Sequence, residues 1–450
     1  MLKDVIFKAN DIRGVVSGPD PQWDEVGARA LGAAFVELTG ATKFVLGRDM
    51  RQRGEELSTA FVDGARRAGA DVVALGLTST DQLWFASGET SLPGVQFTAS
   101  HNPAEYNGIK FCLADAKPVP TDFMERLRGL AHTVEIGDEL LGQLTHWDSL
   151  PGYAAKLNAL VPVAGTRALK VVIDAGNGMA GHTAGAVLAG RNLDVVGLYL
   201  ELDGSFPNHP ANPLVPENLV DAQRAVRENG ADLGLVFDGD ADRCFIIDER
   251  GEVVDPSVIT AMIATAELAR EPGGVIVVNT ITSQCVADAV GDRGRLVRSN
   301  VGHTYVKGLM ASEGGIFGGE HSAHYYFRDF WSADTGMLAA LHVLEQVRSG
   351  GRLSELASVY DGYSRSGEIN STVSDVDAVL ERVAGAFASR GELARGDGLT
   401  VRHESGWWIN LRPSNTEPLL RLNVEAREEK TMRELRDETL ALVRGPGAAD

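Results

Sequence analysis

A chain of 450 residues is longer than one hydrophobic core usually fills, so several domains with ample apolar interior are expected. Hydrophobic residues at 44% and charged residues at 23% are the proportions of a folded globular protein and exclude a disordered one. A formal charge of -20 excludes a surface built for nucleic acid or an anionic bilayer, and any anionic ligand must then be drawn in locally by clustered arginines.

Cys112, Cys244 and Cys285 are odd in number and widely spaced, which predicts reduced, buried thiols and no disulfide framework. The residues behind Met1-Leu2-Lys3-Asp4 lack the apolar centre of a signal segment, and no apolar run is long enough to span a bilayer. A cytoplasmic location is expected.

From residue 5 to about 147, strands at 43–47 and 71–76, a helix at 55–68 and a buried strand from Val95 give a βαβ pattern. The Val95 strand runs into Thr98-Ala99-Ser100-His101-Asn102-Pro103-Ala104-Glu105, where Asn102, Pro103 and Glu105 read as the cap, first-turn proline and acidic third position of a helix. A hydroxyl two residues ahead of such a cap faces unpaired N–H groups, so Ser100 would seat a phosphate ester. His101 and Lys110 add a titratable group and a fixed cation, which phosphoryl transfer can use. An ordinary strand-to-helix turn accounts for the same residues. Arg13, in Asn10-Asp11-Ile12-Arg13-Gly14, and Arg48, in Gly47-Arg48-Asp49, stand at or beside strand ends, where most arginines are surface residues.

Residues 148–166, punctuated by Pro151-Gly152 and Pro162, hold a short helix and mark a boundary. Strands at 170–174, 194–200 and 232–237 follow, with a helix at 216–229. The last strand ends at Asp238-Gly239-Asp240-Ala241-Asp242-Arg243. Carboxylates at every other position, separated by the smallest residues, can converge on one hard cation, and magnesium suits them best. An EF-hand would use Asp238, Asp240, Asp242 and Glu249 at its positions 1, 3, 5 and 12. It fails because Arg243 stands where a glycine is required and because the flanks are strand-like. A solvated acidic turn is the plainer alternative.

A third unit starts with Pro256 opening a helix to residue 270, followed by a strand at 275–279. In Gly318-Gly319-Glu320-His321-Ser322-Ala323-His324, a glutamate and a hydroxyl two residues apart at a strand end can grip vicinal sugar hydroxyls, though on these residues alone a glycine turn with a surface acid is the preferred reading. The last segment differs: strands at 399–403, 408–411 and 420–424 lie between helices at 376–390 and 428–443, an α+β pattern with a frayed tail at 444–450. Arg412-Pro413-Ser414-Asn415-Thr416-Glu417-Pro418 joins two of those strands and suits a phosphate dianion. Ser414 with Glu417 scans as a capping box, but the alternation Leu420, Leu422, Val424 requires a strand next.

Four of these loops, in this order, resemble those of the α-D-phosphohexomutase family of phosphomannomutase/phosphoglucomutase type. Thr98 to Pro103 is similar to its phosphoserine loop, Asp238 to Arg243 to its metal loop, Gly318 to His324 to its sugar loop, and Arg412 to Pro418 to its phosphate loop. The resemblance implies three related α/β domains with mixed sheets plus a smaller C-terminal α+β domain around a central cleft, divided at 1–148, 149–254, 255–366 and 367–450. It implies catalysis by Ser100, His101, Lys110, Arg243 and His303, and a metal, Mg2+, held by Ser100, Asp238, Asp240 and Asp242. Substrate contacts would come from Arg13, Glu320, Ser322, His324, Arg412, Ser414, Asn415, Thr416 and Arg421.

The implied activity is exchange between hexose 6-phosphate and hexose 1-phosphate through phosphoserine and a hexose 1,6-bisphosphate, which also serves as activator. His101, Lys110 and His303 compete as proton carriers. Family members commonly carry tyrosine where Asn10 stands here. A phosphoglucosamine mutase, a metal-dependent sugar-phosphate phosphatase and a non-catalytic sugar-phosphate sensor are the competing expectations.

Overall fold

The computed structural model describes residues 1–413 and 419–445, which form four sheets along the chain. The first holds β1 (Ile12–Val15), β2 (Lys43–Arg48), β3 (Asp71–Leu77), β4 (Gly94–Phe97), β5 (Tyr106–Cys112) and β6 (Leu144–His146), ordered β1-β5-β4-β2-β3-β6. The second holds β7 (Leu169–Asp174), β8 (Leu193–Leu198), β9 (Leu233–Phe237), β10 (Cys244–Asp248) and β11 (Val253–Val254), ordered β11-β10-β9-β7-β8. The third holds β12 (Val275–Asn279), β13 (Arg295–Ser299), β14 (Gly315–Gly319), β15 (Tyr325–Phe327) and β16 (Ala333–Asp334), ordered β13-β12-β14-β15-β16. In the fourth, β17 (Ser364–Arg365), β18 (Ile369–Thr372), β19 (Glu392–Gly396), β20 (Gly398–Arg402), β21 (Trp408–Pro413) and β22 (Leu419–Ala426) form an antiparallel sheet.

One construction recurs in the first three sheets. A strand arriving through a helical crossover pairs in parallel, then the chain reverses within a few residues and the next strand pairs antiparallel with it: β2 with β4 and β4 with β5, β7 with β9 and β9 with β10, β12 with β14 and β14 with β15. The reversals at 98–105, 238–243 and 320–324 therefore leave the carboxyl ends of parallel strands, the edge of an open α/β sheet at which ligands bind. The flanks of 238–243 are β9 and β10, so the strand-like reading that ruled out an EF-hand holds.

The helix expected at Asn102 does not form. Asn102 and Tyr106 close tight turns onto the carbonyls of Ala99 and Pro103, and β5 begins at Tyr106. Asparagine and proline serve turns as readily as helix starts, and Ile109 and Phe111 are needed inside the sheet, so the antiparallel pairing with β4 prevails. The helix start expected two residues after Ser100 is therefore replaced by a turn into β5. At the far end, Arg444 closes the helix Glu429–Arg444 and is not part of a frayed tail, and 446–450 lie outside the described residues.

Around the first sheet the rings of Phe35, Phe44, Phe61, Phe97 and Phe111 meet one another in a single core, each contributing about 1.5–3 kcal/mol on burial. The second and third sheets share another core, joined by Leu83, Trp84 and Phe85 of the helix Thr80–Thr90. No helix of the described residues is long and apolar enough to cross a membrane. All three cysteines are buried and unpaired.

Asp81, in the first turn of that helix, is fully buried and accepts hydrogen bonds from the hydroxyls of Ser79, Tyr153 at 2.6 Å and Thr335 at 2.7 Å. One carboxyl thus ties the first unit to the helix Leu150–Leu160 and to the cap of the helix Gly336–Gly350. Burial pushes it up to about 7, against the three donors. An unfolded aspartate lets go of its proton near pH 4, roughly. Between those limits only the folded chain keeps the proton, so this group's stabilisation is complete at low pH and is lost as pH rises through about 7. Between about pH 5 and about pH 8 the wild type should lose more stability than Asp81→Asn, which cannot ionise, in urea melts. Parallel losses would refute the assignment.

Candidate active site

Ser100 sits in the left-handed region at φ 50° and is buried. Its shape is imposed from outside: the Arg51 guanidinium donates to the carbonyls of Ser100 and Asn102 at 2.6 Å each, and to those of Pro103 and Tyr106 at 2.9 and 3.0 Å. The Ser100 N–H is held by Thr98 Oγ1 at 2.9 Å, and Arg13 braces the loop through Asn102 Oδ1 at 2.7 Å. Arg48, singled out in the sequence, instead pairs with Glu55 at 2.8 Å. Arg51, which the sequence motifs do not single out, is the residue that gathers the loop.

The loop after β9 meets this one directly. Ser100 Oγ donates to Asp238 Oδ2 at 2.9 Å, and a Cβ on Gly239 would lie 2.4 Å from the Ser100 carbonyl oxygen, so only glycine permits the approach. Lys110, from β5, reaches Asp240 Oδ2 at 2.7 Å and Asp242 Oδ2 at 2.6 Å. Arg243 donates to Asp238 Oδ2 at 2.9 Å and to His101 Nδ1 at 2.7 Å. Burial, with Asp242 and Asp240 adding to it, pushes Asp238 up to about 7 although Arg243 opposes the shift. Burial also works against Asp240, but Lys110 and the Thr80 hydroxyl outweigh it and hold that carboxylate far below its usual range.

The arrangement fits a hard cation. Oxygens of Asp238, Asp240 and Asp242 lie within 4.8 Å of one another, and Asp240 Oδ1 and Asp242 Oδ1 are buried without a hydrogen-bond partner. Buried acceptors left open cost about 1–3 kcal/mol each unless something satisfies them, and a divalent ion would do so.

The third sheet closes on the same place. His324 forms an isolated antiparallel bridge with Arg243, and its Nε2 stands 3.7 Å from Asp242 Oδ1. Ser322 Oγ is 3.0 Å from His324 Nδ1. Glu320 is buried and accepts from Tyr326 at 2.6 Å, Asn279 at 2.9 Å and the Gly302 N–H at 3.3 Å. Burial would raise it, but His324 with the Tyr326 and Asn279 donors outweighs burial and holds its pKa below the usual glutamate range. His303 lines a small cavity with Lys110, Asn10, Trp84, Thr304 and Lys307; burial chiefly, then Lys307, holds its pKa at about 4. Asn10, at the position where the resemblance implies an aromatic, accepts from the Thr304 hydroxyl at 3.1 Å.

From the fourth sheet, Arg412 and Arg421 stand opposite one another on β21 and β22, and both reach Glu368, at 3.4 and 3.3 Å. Arg412 is close enough to add to burial in lowering the pKa of His321 beside Glu320. Ser414, Asn415 and Thr416 lie outside the described residues. Loops from three sheets are thus joined in series, Ser100 to Asp238 and Arg243 to His324, and the fourth sheet places Arg412 near His321 of the third.

Sequence-family models for the phosphoglucomutase/phosphomannomutase α/β/α domains I, II and III match residues 4–136, 151–251 and 255–363, and that for the C-terminal domain matches 368–442. A phosphomannomutase of Salmonella montevideo is 37% identical, with 96% of each chain covered. A protein of Xanthomonas campestris named for phosphohexose mutases is also 37% identical, over 98% of this chain and 99% of its own. The crystal structure of a phosphoglucomutase/phosphomannomutase family protein from Burkholderia thailandensis superposes with a TM-score of 0.90 at 30% identity, covering 100% of this chain and 99% of that one.

Proposed function

The chain belongs to the phosphoglucomutase/phosphomannomutase family, and on that premise we propose that it is a phosphomannomutase that also turns over glucose phosphates, interconverting hexose 6-phosphate and hexose 1-phosphate. Such an enzyme is an isomerase that moves a phosphoryl group within its substrate. The observation that carries the reading is the junction at Ser100, where a buried hydroxyl is held 2.9 Å from Asp238, one of three grouped aspartates that Arg243 and Lys110 pair with.

In this reading Ser100 carries the phosphoryl group. A sugar hydroxyl attacks phosphorus, the bond from phosphorus to Ser100 Oγ breaks, and the hydroxyl proton passes to a base. The resulting hexose 1,6-bisphosphate turns over, and the phosphoryl at its other end returns to Ser100; added bisphosphate acts as activator by charging idle serine. Of the three proton carriers, His303 is favoured. Lys110 has its ammonium committed to two carboxylates, and His101 Nδ1 receives Arg243, whereas the His303 imidazole is neutral at working pH. Asp238, Asp240 and Asp242, with the Ser100 phosphoryl, would hold Mg2+, which when bound neutralises charge on the transferring group. Arg243 and Lys110 fix the aspartates and leave positioning to supply much of the rate.

Glu320, Ser322 and His324 would hold the sugar hydroxyls, and Arg412 and Arg421 the distal phosphate, displacing Glu368. Arg13 would assist from the first unit. The division at 1–148, 149–254, 255–366 and 367–450 then gives one loop to each domain, with a hinge for the fourth near residues 362–367. Phosphorus NMR of mannose 1-phosphate and glucose 1-phosphate, each with Mg2+ and a trace of hexose 1,6-bisphosphate, tests the reading. Both should become 6-phosphates without inorganic phosphate accumulating. Release of inorganic phosphate instead would identify a phosphatase, and turnover of glucosamine phosphate alone would move the chain to another branch.

A further inference from the structure

Thr80 opens the helix Thr80–Thr90 of the first unit, is fully buried, and touches the aspartate loop of the second unit twice. Its hydroxyl donates to Asp240 Oδ2 at 2.5 Å, and its N–H donates to the Asp240 carbonyl at 3.0 Å. The first N–H groups of a helix have no partner within it, so this loop satisfies one of them. The position is not adjustable. Ser79 caps the same helix through the N–H of Gln82, and Asp81 is pinned by Tyr153 and Thr335 from two other parts of the chain.

The hydroxyl acts on one oxygen of Asp240 and not the other. Oδ2 receives both Thr80 and Lys110, while Oδ1 is buried with no hydrogen-bond partner, and Asp240 is one of the three aspartates whose oxygens group closely enough for a cation. Were Oδ2 released, the carboxylate could rotate and offer Lys110 either oxygen. We propose that Thr80 is a positioning residue that selects Asp240 Oδ1 as the cation-facing oxygen, through its hydroxyl bond to Oδ2. The inference rests on the reading that these aspartates hold a divalent ion. Outer partners of this kind commonly change metal affinity by roughly 10–100-fold.

The test is a Mn2+ titration of the full chain followed by electron paramagnetic resonance, with Mg2+ as competitor and no substrate. Thr80→Val, which keeps the shape and removes the hydroxyl, should weaken Mn2+ binding by about 10–100-fold. Thr80→Ser, which restores the hydroxyl, should bind within roughly threefold of the wild type. Equal affinity for wild type and a folded Thr80→Val overturns the proposal and leaves the metal reading standing, as does a Thr80→Ser as weak as the valine variant. Absence of Mn2+ binding by the wild type overturns the metal reading itself, and the proposal with it. Should Thr80→Val not fold, Thr80→Ala is read in the same titration against the same limits.

Discussion

Ser100→Ala should fold and melt close to the wild type while its hexose phosphate isomerisation falls by roughly three orders of magnitude or more. The structural half follows from how the loop is held. Arg51 grips backbone carbonyls, the Ser100 N–H is taken by Thr98, and Gly239 packs on the carbonyl oxygen, none of which uses the Ser100 side chain. Alanine loses only the bond to Asp238 and the contact with His101 Nδ1 at 3.2 Å. The catalytic half follows because the two nearest groups, Asp238 Oδ2 and His101 Nδ1, are both engaged by the Arg243 guanidinium, which leaves the serine hydroxyl as the acceptor of the phosphoryl group. Intact mass before and after treatment with hexose 1,6-bisphosphate should show one added phosphoryl in the wild type and none in the variant. A variant retaining near-normal turnover would remove Ser100 from the reaction.

Removal of the cation, or of its hold, should have the next largest effect. Chelation should bring turnover to background and added Mg2+ should restore it. Asp242→Asn should lower kcat by about 10²-fold or more, since an amide neither neutralises Lys110 nor presents an anionic oxygen beside His324. Lys110 keeps Asp240 as partner, so the cost in stability should stay near 1–3 kcal/mol, visible in urea melts. Mn2+ affinity and kcat should fall together. If kcat fell while ion affinity stayed unchanged, Asp242 would act on the substrate and not on the metal.

The loops were legible in the sequence because small residues, carboxylates and turn formers stand abruptly after apolar strands, and Asp238 to Arg243 shows this best. Strand β9 and the helix Pro256–Arg270 were legible for a related reason: an all-apolar run and a proline after an aspartate cap leave few alternatives. Asn102-Pro103-Ala104-Glu105 misled because its residues suit two local structures, and the choice was made by the pairing of β5 with β4 and β1. The helix Thr80–Thr90 carried no separation into polar and apolar faces to announce it, because Thr80, Asp81, Gln82 and Ser87 are buried between units along with its apolar residues. Thr80 and Arg51 were silent for the same reason. Their roles depend on which carbonyls and carboxylates the fold brings to them, and for Arg51 the adjacent motif Gly47-Arg48-Asp49 pointed to the wrong arginine.

The most direct measurement tracks the phosphoryl group itself. Protein charged on Ser100 with radiolabelled phosphate from hexose 1,6-bisphosphate is mixed with excess unlabelled mannose 1-phosphate and Mg2+. The account predicts that the label leaves the protein and appears on carbon 6 of the sugar within the first turnovers. Label that stays on the protein while isomerisation proceeds, or that emerges as inorganic phosphate, would contradict it.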